Sequence, residues 1–267
     1  LYNNDKVKLK EYNLEDCHLV KEIDETLGIS DMMIRQSQWC GAPPSQFGLY
    51  SIIDSYILRM AHSAKKFGRT SIKALEERDV KNERGNENPG DTEKQKKGHD
   101  ESKYMGALVL DPIIGVYEKV YTFDFKSLYP SVMRTANIGY DTLLLADDGT
   151  AIINPGTQSI ERKAGSIVPT WFSKEEKSVI NLAITNLLEK RTEYKNLKLK
   201  MIEDGKNKGT EWEHVVSDEI IVKELSNSTY GIMGLEYGRY YSVDIAESIT
   251  LFGQWTLLFA KKYFESI

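Results

Sequence analysis

The stretch Val120–Arg134, VYTFDFKSLYPSVMR, constrains the fold of this chain more than any other part of it. Its first half is rich in β-branched and aromatic residues, which predicts a buried strand over 117–125. Pro130 falls in what would be the first turn of a helix, where a missing N–H costs nothing. The sequence therefore predicts a buried strand that turns directly into a helix, with Asp124 at the end of the strand.

The carboxylate of Asp124 is the first candidate functional group. A carboxylate in apolar surroundings is costly unless a positive group meets it, and a hard cation such as Mg²⁺ prefers carboxylate and carbonyl oxygens. The helix start that follows offers free N–H groups, which favour phosphate. The local pattern indicates a metal ligand beside a phosphate-binding turn, and it leaves open the alternative that Asp124 only caps a helix.

Two blocks of residues resemble sequence motifs of the family B DNA polymerases. Asp124–Ser131, DFKSLYPS, resembles motif A of that family, Asp-x-x-Ser-Leu-Tyr-Pro-Ser. Lys223–Gly231, KELSNSTYG, resembles motif B, Lys-x-x-x-Asn-Ser-x-Tyr-Gly, and the two blocks occur in the family's order. The resemblance implies template-directed DNA synthesis from deoxynucleoside triphosphates, with nucleotidyl transfer to a primer 3′-hydroxyl by a two-metal mechanism that uses two Mg²⁺ ions in the complete enzyme.

The resemblance also implies roles for individual residues. Asp124 and the carbonyl of Phe125 would hold metal, and Lys223 would act with Asp124 in catalysis. Tyr129 would lie under the incoming sugar and exclude a 2′-hydroxyl. The remaining candidates are Ser127, Leu128, Arg191, Lys195 and Asn227 for the nucleotide, Tyr230 and Gly231 for the nascent base pair, and Tyr104 and Gly106 for the template DNA.

An earlier helix, predicted over residues 9–27 and ended by Gly28, carries a second candidate site. Tyr12 and Asp16 lie four residues apart and therefore share a helix face. Their spacing resembles the third motif of the family's 3′–5′ proofreading exonuclease, in which the Asp holds a metal and the Tyr orients water. A surface Asp beside a packed Tyr is the alternative.

The resemblance implies an α+β fold, in which the antiparallel sheet and helices of a polymerase palm carry an inserted antiparallel helical hairpin, the fingers. Motif C and a thumb are absent from the sequence. The expected division is the end of the exonuclease domain at 1–30, a linker helix and first part of the palm at 31–167, the fingers at 168–234 and a return helix at 235–267.

Several further elements are predicted from local patterns. Glycine and proline predict a loop at 28–46, apolar spacing predicts a buried helix at 47–67, and the charged run at 76–103 predicts a mobile insert. The other predictions are a hairpin of two strand-like runs at 104–123, short strands and turns at 143–168, a helix opened by a Ser173–Glu176 capping box that runs past Lys200, a turn at Gly205–Gly209, a helix at 211–233 and an apolar helix at 242–264.

Composition limits the partners and the compartment. The net charge of the 267 residues is −5, so any contact with DNA must come from local basic patches. No apolar run is long enough for a membrane span and no signal peptide is present, so a cytoplasmic location is expected, in the host if the source is a virus. The expected partners are primer–template DNA, deoxynucleoside triphosphates, the remaining polymerase segments in the same gene or on a partner chain, and a sliding clamp.

Two functional readings remain from the sequence. The first is a polymerase segment that is inactive by itself, and its hairpin and Ile249–Gln254 most resemble viral or phage replicative members of the family. The second is a non-catalytic piece that binds nucleotide and DNA and needs a partner chain to supply motif C. A Rossmann or P-loop nucleotide enzyme is excluded because the glycine fingerprint is missing.

Overall fold

A computed structural model describes residues 5–43, 45, 48–68, 106–144, 151–153 and 171–266. In these ranges the chain is mostly helical, with a small antiparallel sheet. The predicted insert at 76–103, Tyr104, and the turns at 147–149 and 154–156 lie outside the described residues. The elements are α1 (Lys6–Leu27), α2 (Ile29–Cys40), α3 (Leu49–Ser63), α4 (Leu128–Thr135), β1 (Leu143–Leu144), β2 (Ala151–Ile153), β3 (Trp171–Ser173), α5 (Val179–Glu203), α6 (Thr210–Met233) and α7 (Val243–Glu265).

Helices α5 and α6 form the predicted antiparallel hairpin, and they pack against each other more extensively than any other pair of described elements. The connection between them contains Gly205 and Gly209, both at positive φ, as the predicted turn requires. The prediction that Ser173 opens α5 is wrong. Ser173 ends β3, where it pairs with Ala151, and the helix is capped instead by Ser178, whose side chain accepts from the backbone N–H of Asn181.

The core lies where α3, α4 and α7 meet the hairpin. The helix predicted at 47–67 is confirmed as α3, and it buries Tyr56 almost completely. The Tyr56 hydroxyl donates to the Ala183 carbonyl (3.1 Å) and to Oδ1 of Asn186 (2.9 Å), so the buried ring keeps its polar atom satisfied. Other fully buried side chains are Ile52, Ile53 and Ile57 of α3, Met133 of α4, Ile184 and Leu187 of α5, Ile221 and Val222 of α6, and Ile245 and Ile249 of α7.

The loop predicted at 28–46 is largely a helix, α2, so that prediction is wrong. Gly28 adopts a left-handed conformation that ends α1, and α2 begins at the next residue. Contacts with α6 hold α2 in place, because Nη2 of Arg35 donates to Oδ1 of Asp218 at 2.8 Å. A local pattern of glycine and proline did not reveal these tertiary contacts.

Helix α1 is confirmed at its predicted position, but its apolar side chains do not face a core. Tyr12 is 59% exposed, and Leu19, Ile23 and Leu27 are also exposed. None of the side chains of α1 is buried, and the helix makes few contacts, mainly with α2. Among the helices that the structure describes, none is long and apolar enough to cross a membrane.

The sequence predicted a buried strand at 117–125 and a hairpin over 104–123. Neither is present in the described part of this region, residues 106–125. Val116 is fully exposed and Tyr121 is 79% exposed. A strand is stable only when neighbouring strands accept its backbone hydrogen bonds, and the small sheet, ordered β1-β3-β2, lies elsewhere. Contacts with α7 attach the segment, since Nε2 of Gln254 donates to the Gly106 carbonyl at 2.6 Å and Phe123 stacks on Phe264.

Asn137 joins three elements through its side chain. Its Nδ2 donates to the carbonyls of Ser173 (2.7 Å) and Glu176 (2.8 Å). Its Oδ1 accepts from the backbone N–H of Ser178 (2.9 Å) and from Nδ2 of Asn181 (3.0 Å). The end of α4 is thereby tied to β3 and to the first turn of α5, which fixes the position of the hairpin relative to α4.

We expect Asn137→Ala to lower the free energy of unfolding by about 2–4 kcal/mol, because buried hydrogen-bonding groups lose their partners and alanine is unfavourable at φ 52°. Chemical denaturation of the purified chain measures the change. In Asn137→Gly the backbone keeps its positive φ without strain, so this variant measures the loss of the side-chain hydrogen bonds alone. Most of the expected loss of unfolding free energy should remain. Asn196→Ala, at an exposed position of α5, should change stability by less than about 1 kcal/mol. Wild-type stability in Asn137→Gly would contradict this role.

Candidate functional site

The start of α4 opens onto a cavity of about 600 Å³ between α4 and the hairpin. Ser127 precedes the helix in a left-handed conformation (φ 51°), and Pro130 lies in the first turn as predicted. Nine of the eleven described residues that line the cavity were predicted as site residues. The other two are Lys126 and Pro130, and Pro130 was predicted only as part of the helix start. Those nine are Asp124, Phe125, Ser127, Leu128, Tyr129, Arg191, Lys195, Lys223 and Asn227.

The two hairpin helices each present one pair of side chains to this cavity. Arg191 and Lys195 are four residues apart on α5, and Lys223 and Asn227 are four residues apart on α6. Residues at this spacing lie on one face of a helix, and the antiparallel packing of α5 on α6 brings the two faces together. Residues far apart in sequence are therefore neighbours, as the motifs imply.

Arg191 is held in place by contacts from both sides. Its Nη1 donates to Oγ of Ser127 at 2.8 Å, and its Nε lies 3.7 Å from Oε1 of Glu219. Oε2 of Glu219 also accepts from Nζ of Lys198 at 3.0 Å. The guanidinium therefore links the turn before α4 to both helices of the hairpin.

Glu219 is a residue that the sequence analysis missed. Burial is the largest influence on its carboxyl group and raises its pKa, but the hydrogen bond from Lys198 and the charges of Lys198, Lys195 and Arg191 outweigh burial and leave the pKa below its usual value. The carboxylate is thus ionised and holds Arg191 at the cavity. The sequence did contain a signal for Glu219, because it lies four residues before Lys223 and therefore on the same face of the helix.

The cavity is strongly basic. Four cationic side chains line it, from Lys126, Arg191, Lys195 and Lys223, against a single carboxylate, Asp124. In the described part of the chain, neither Lys195 nor Lys223 has a carboxylate within ion-pair distance. Glu219 offsets part of this charge, and the remaining excess of cations around the cavity favours a ligand with several negative charges.

Asp124 is exposed, so the expectation of a buried carboxylate is wrong. The reason is the preceding segment, which is exposed and belongs to no sheet. The carboxylate of Asp124 and the carbonyl of Phe125 are oxygen donors of the type that Mg²⁺ accepts, but they supply only part of an octahedral shell. No three His, Cys, Asp or Glu side chains meet as a metal site within the described residues.

The ring of Tyr129 is confined between α6 and α7. The ring of Tyr230 lies 4.7 Å away, centroid to centroid, at an angle of 50°. On the other side, a Cβ built on Gly253 would lie 2.9 Å from Cε1 of Tyr129. Gly253 was also missed, although a glycine inside an apolar helix is a signal of close packing.

The other predicted site residues lie outside the cavity. Gly231 is exposed, and a Cβ built on it would meet no atom within 4 Å. The carbonyl of Gly106 accepts a hydrogen bond from Gln254 of α7. Tyr12 and Asp16 are exposed on α1. These two residues and the cavity therefore belong to separate parts of the described structure.

Comparison with known proteins agrees with the two motifs. The profile described as "DNA polymerase family B" matches residues 54–267. The chain belongs to family B of the DNA polymerases. It is 31% identical to the mouse DNA polymerase alpha catalytic subunit over 173 residues, which are 64% of this chain and 11% of that protein. It is 32% identical to the DNA polymerase catalytic subunit of Alcelaphine herpesvirus 1 over 167 residues, 61% of this chain and 16% of that protein.

The fold of this family B chain also resembles a solved polymerase structure. The family B DNA polymerase of the archaeon Pyrobaculum calidifontis superposes with a TM-score of 0.65 at 23% identity, over 99% of this chain and 30% of that one. The chain thus spans less than a third of the solved polymerase and a still smaller share of the mouse and herpesviral relatives. Relatives from animals, herpesviruses and archaea match at similar identity, so a viral or phage origin stays a prediction.

We expect Gly253→Ala to destabilise the protein by about 1–3 kcal/mol, because the added methyl group meets the Tyr129 ring. Gly231→Ala is the matched control, since that glycine is also helical but has nothing within 4 Å of its built Cβ. The control should be neutral or more stable by up to about 1 kcal/mol.

Thermal and chemical denaturation of Gly253→Ala, Tyr129→Ala and the double variant form a double-mutant cycle. The loss of unfolding free energy in the double variant should be smaller than the sum of the two single losses by at least about 1 kcal/mol, because removal of the ring relieves the clash. Stabilisation by Gly253→Ala equal to that of Gly231→Ala would show that the ring is not confined by α7.

Proposed function

We propose that this chain binds an incoming deoxynucleoside triphosphate in the cavity, as part of a polymerase that extends a primer on a DNA template. The observation that carries the proposal is the convergence of Arg191 and Lys195 from α5 with Lys223 and Asn227 from α6 at the turn before α4. A triphosphate is the ligand whose charge matches this group of cations. The membership in family B supports the same conclusion.

In the proposed reaction the primer 3′-hydroxyl gives up its proton to water, and its oxygen forms a bond to the α-phosphorus. The bond from that phosphorus to the bridging oxygen breaks. The bridging oxygen leaves with the β- and γ-phosphates as pyrophosphate. Arg191, Lys195 and Lys223 would bind the phosphate oxygens and stabilise the charge that develops on the leaving group. Ser127 and Leu128 would offer backbone N–H groups at the start of α4.

Mg²⁺ would be held by the carboxylate of Asp124 and the carbonyl of Phe125. When bound, a pair of such ions lowers the charge on the phosphates and orients the reacting oxygens. A two-metal site needs carboxylates beyond Asp124, which is the one acidic residue lining the described cavity. The alternative, a nucleotide- and DNA-binding piece that depends on a partner chain for the remaining carboxylates, is favoured by the same observation.

Selection of the sugar is assigned to Tyr129. The ring lies at the cavity and is confined by Tyr230 and Gly253, so it cannot easily move away from a bulkier sugar. A confined ring under the sugar would exclude a 2′-hydroxyl and give preference to deoxynucleotides. Tyr230 and Gly231 would contact the nascent base pair, where glycine lets the backbone approach closely.

The remaining assignments follow the order of the chain. Residues 1–30 would end a proofreading exonuclease domain, with Tyr12 and Asp16 as part of its site, and 31–167 would begin the palm. Residues 168–234 would form the fingers and 235–267 the return helix. Tyr104 and Gly106 would contact the template. The exposed apolar side chains around Val116 and Tyr121 would be covered by the remaining polymerase segments, and primer–template DNA and a sliding clamp would be further partners.

We expect Lys223→Ala, in the polymerase that carries this chain, to lower kcat/KM for the incoming deoxynucleotide by the equivalent of about 2–4 kcal/mol, because a charge-assisted contact made in the transition state is lost. Steady-state primer extension measures this loss. The affinity for primer–template, measured by fluorescence anisotropy, should change little, since Lys223 faces the cavity.

Lys200→Ala is the matched control. Lys200 is exposed on the same hairpin, does not line the cavity and forms no ion pair with a described residue. It should leave both quantities unchanged. Loss of DNA affinity in Lys223→Ala, with nucleotide kinetics intact, would place Lys223 on the DNA path and refute the nucleotide site.

The 267 residues by themselves should fold but fail to extend a primer, because Asp124 is the one carboxylate at the cavity in the described structure. The assay is extension of a labelled primer by the purified chain with Mg²⁺ or Mn²⁺ and all four deoxynucleotides. Extension above background that disappears in Asp124→Ala would show that the chain holds a further metal ligand, and would reject the proposal of an inactive segment.

A further inference from the structure

A second cavity, of about 480 Å³, shares with the first the two residues of the Arg191–Ser127 hydrogen bond. Lys126, Ser127, Arg191 and Lys195 line both cavities. Arg134 lines only the second cavity, whereas Lys223 lines only the first. The two spaces therefore share one wall, and each has a cation of its own.

The second cavity is formed by facing sides of two helices. Ser127, Ser131 and Arg134 follow one another at helical spacing along α4, and Arg191 and Lys195 do so along α5. Polar and charged side chains make up nearly all of the lining. The charged groups in this lining favour an ion or a strongly polar molecule as the ligand.

The charges in this cavity favour an anion. Four cations, Lys126, Arg134, Arg191 and Lys195, line it with two glutamates. Of these six groups, Glu193 is paired with Nζ of Lys190 at 2.6 Å and Arg191 is paired with Glu219 at 3.7 Å. In the described structure Arg134 has no carboxylate within ion-pair distance. An anion would therefore gain a cation that is not neutralised by a neighbour.

The lining also excludes a nucleotide as the natural ligand. The first cavity contains Tyr129, which packs on Tyr230, and so offers aromatic surface to a sugar and base. None of the described residues that line the second cavity is aromatic. Without a ring to stack on, a base gains little there, so the chemistry of the site suits an inorganic phosphate compound.

We propose that the second cavity is the exit site for inorganic pyrophosphate. This inference rests on the proposed function, which releases pyrophosphate in the first cavity. Because Arg191 and Lys195 line both spaces, the leaving anion keeps these two cations while it moves and exchanges Lys223 for Arg134. Opening of the Arg191–Ser127 hydrogen bond provides the passage, and the Arg191 side chain stays anchored by Glu219.

The test compares Arg134→Gln with Lys223→Gln in the complete polymerase that carries this chain, bound to a dideoxy-terminated primer–template. Affinities for inorganic pyrophosphate, orthophosphate and the complementary deoxynucleotide are measured by titration calorimetry. Arg134→Gln should weaken pyrophosphate binding at least fivefold and change deoxynucleotide binding by less than twofold. Inhibition of primer extension by added pyrophosphate should weaken by the same factor. Arg134→Lys, which keeps the charge, should restore most of the affinity.

The outcomes separate this inference from the function on which it rests. Unchanged deoxynucleotide affinity in Lys223→Gln would reject the proposed nucleotide site. If Lys223→Gln weakens deoxynucleotide binding but Arg134→Gln leaves pyrophosphate binding unchanged, only the exit site is rejected. Equal losses for pyrophosphate and deoxynucleotide in Arg134→Gln would assign Arg134 to the nucleotide site. If Arg134→Gln loses equal affinity for pyrophosphate and orthophosphate, the cavity is a general anion site and the exit site for pyrophosphate is rejected. Lys200→Gln, exposed and outside both cavities, should leave all three affinities unchanged.

Discussion

The hydrogen bonds of the Asn137 side chain are the interaction on which the rest of this structure depends. They join the end of α4 to β3 and to the first turn of α5, with four partners between 2.7 and 3.0 Å. An unpaired amide at this buried position would be costly, so all four contacts form together. The starting point of α5 is thereby fixed relative to α4, and the arginine three turns further along α5 reaches the turn before α4.

The candidate site is consequently an assembly of surfaces rather than a local motif. Its cations come from two antiparallel helices, its turn from a third helix, and its aromatic wall from contacts with α6 and α7. Glu219 neutralises part of this charge and holds Arg191, while Lys195 and Lys223 are without carboxylate partners in the described residues. These contacts restrict the Arg191 side chain, and restriction of side chains before binding lowers the entropic cost of holding a ligand.

The failures of sequence-based prediction have a common cause. Helix α2 follows α1 with a single glycine between them, and its contacts with α6 cannot be recognised from local composition. The apolar residues before Asp124 have the composition of a buried strand, yet no strand pairs with them in the described structure. Ser173 and Glu176 match a capping box, but Ser173 is used by the sheet and Ser178 caps the helix. In each case the tertiary partner decides between conformations that the local sequence allows.

The sequence by itself indicated the family through its resemblance to motifs A and B, and it predicted nine of the eleven described residues that line the candidate site. Local patterns also predicted α1, with Gly28 at its end, and α3 and α7, while the resemblance implied the α5–α6 hairpin. Only the tertiary structure revealed Glu219 and Gly253, whose importance comes from what they touch, and the exposure of Asp124. Helical periodicity is a local property that sequence records directly, whereas burial, ion pairing and strand formation depend on segments that meet only when the chain has folded.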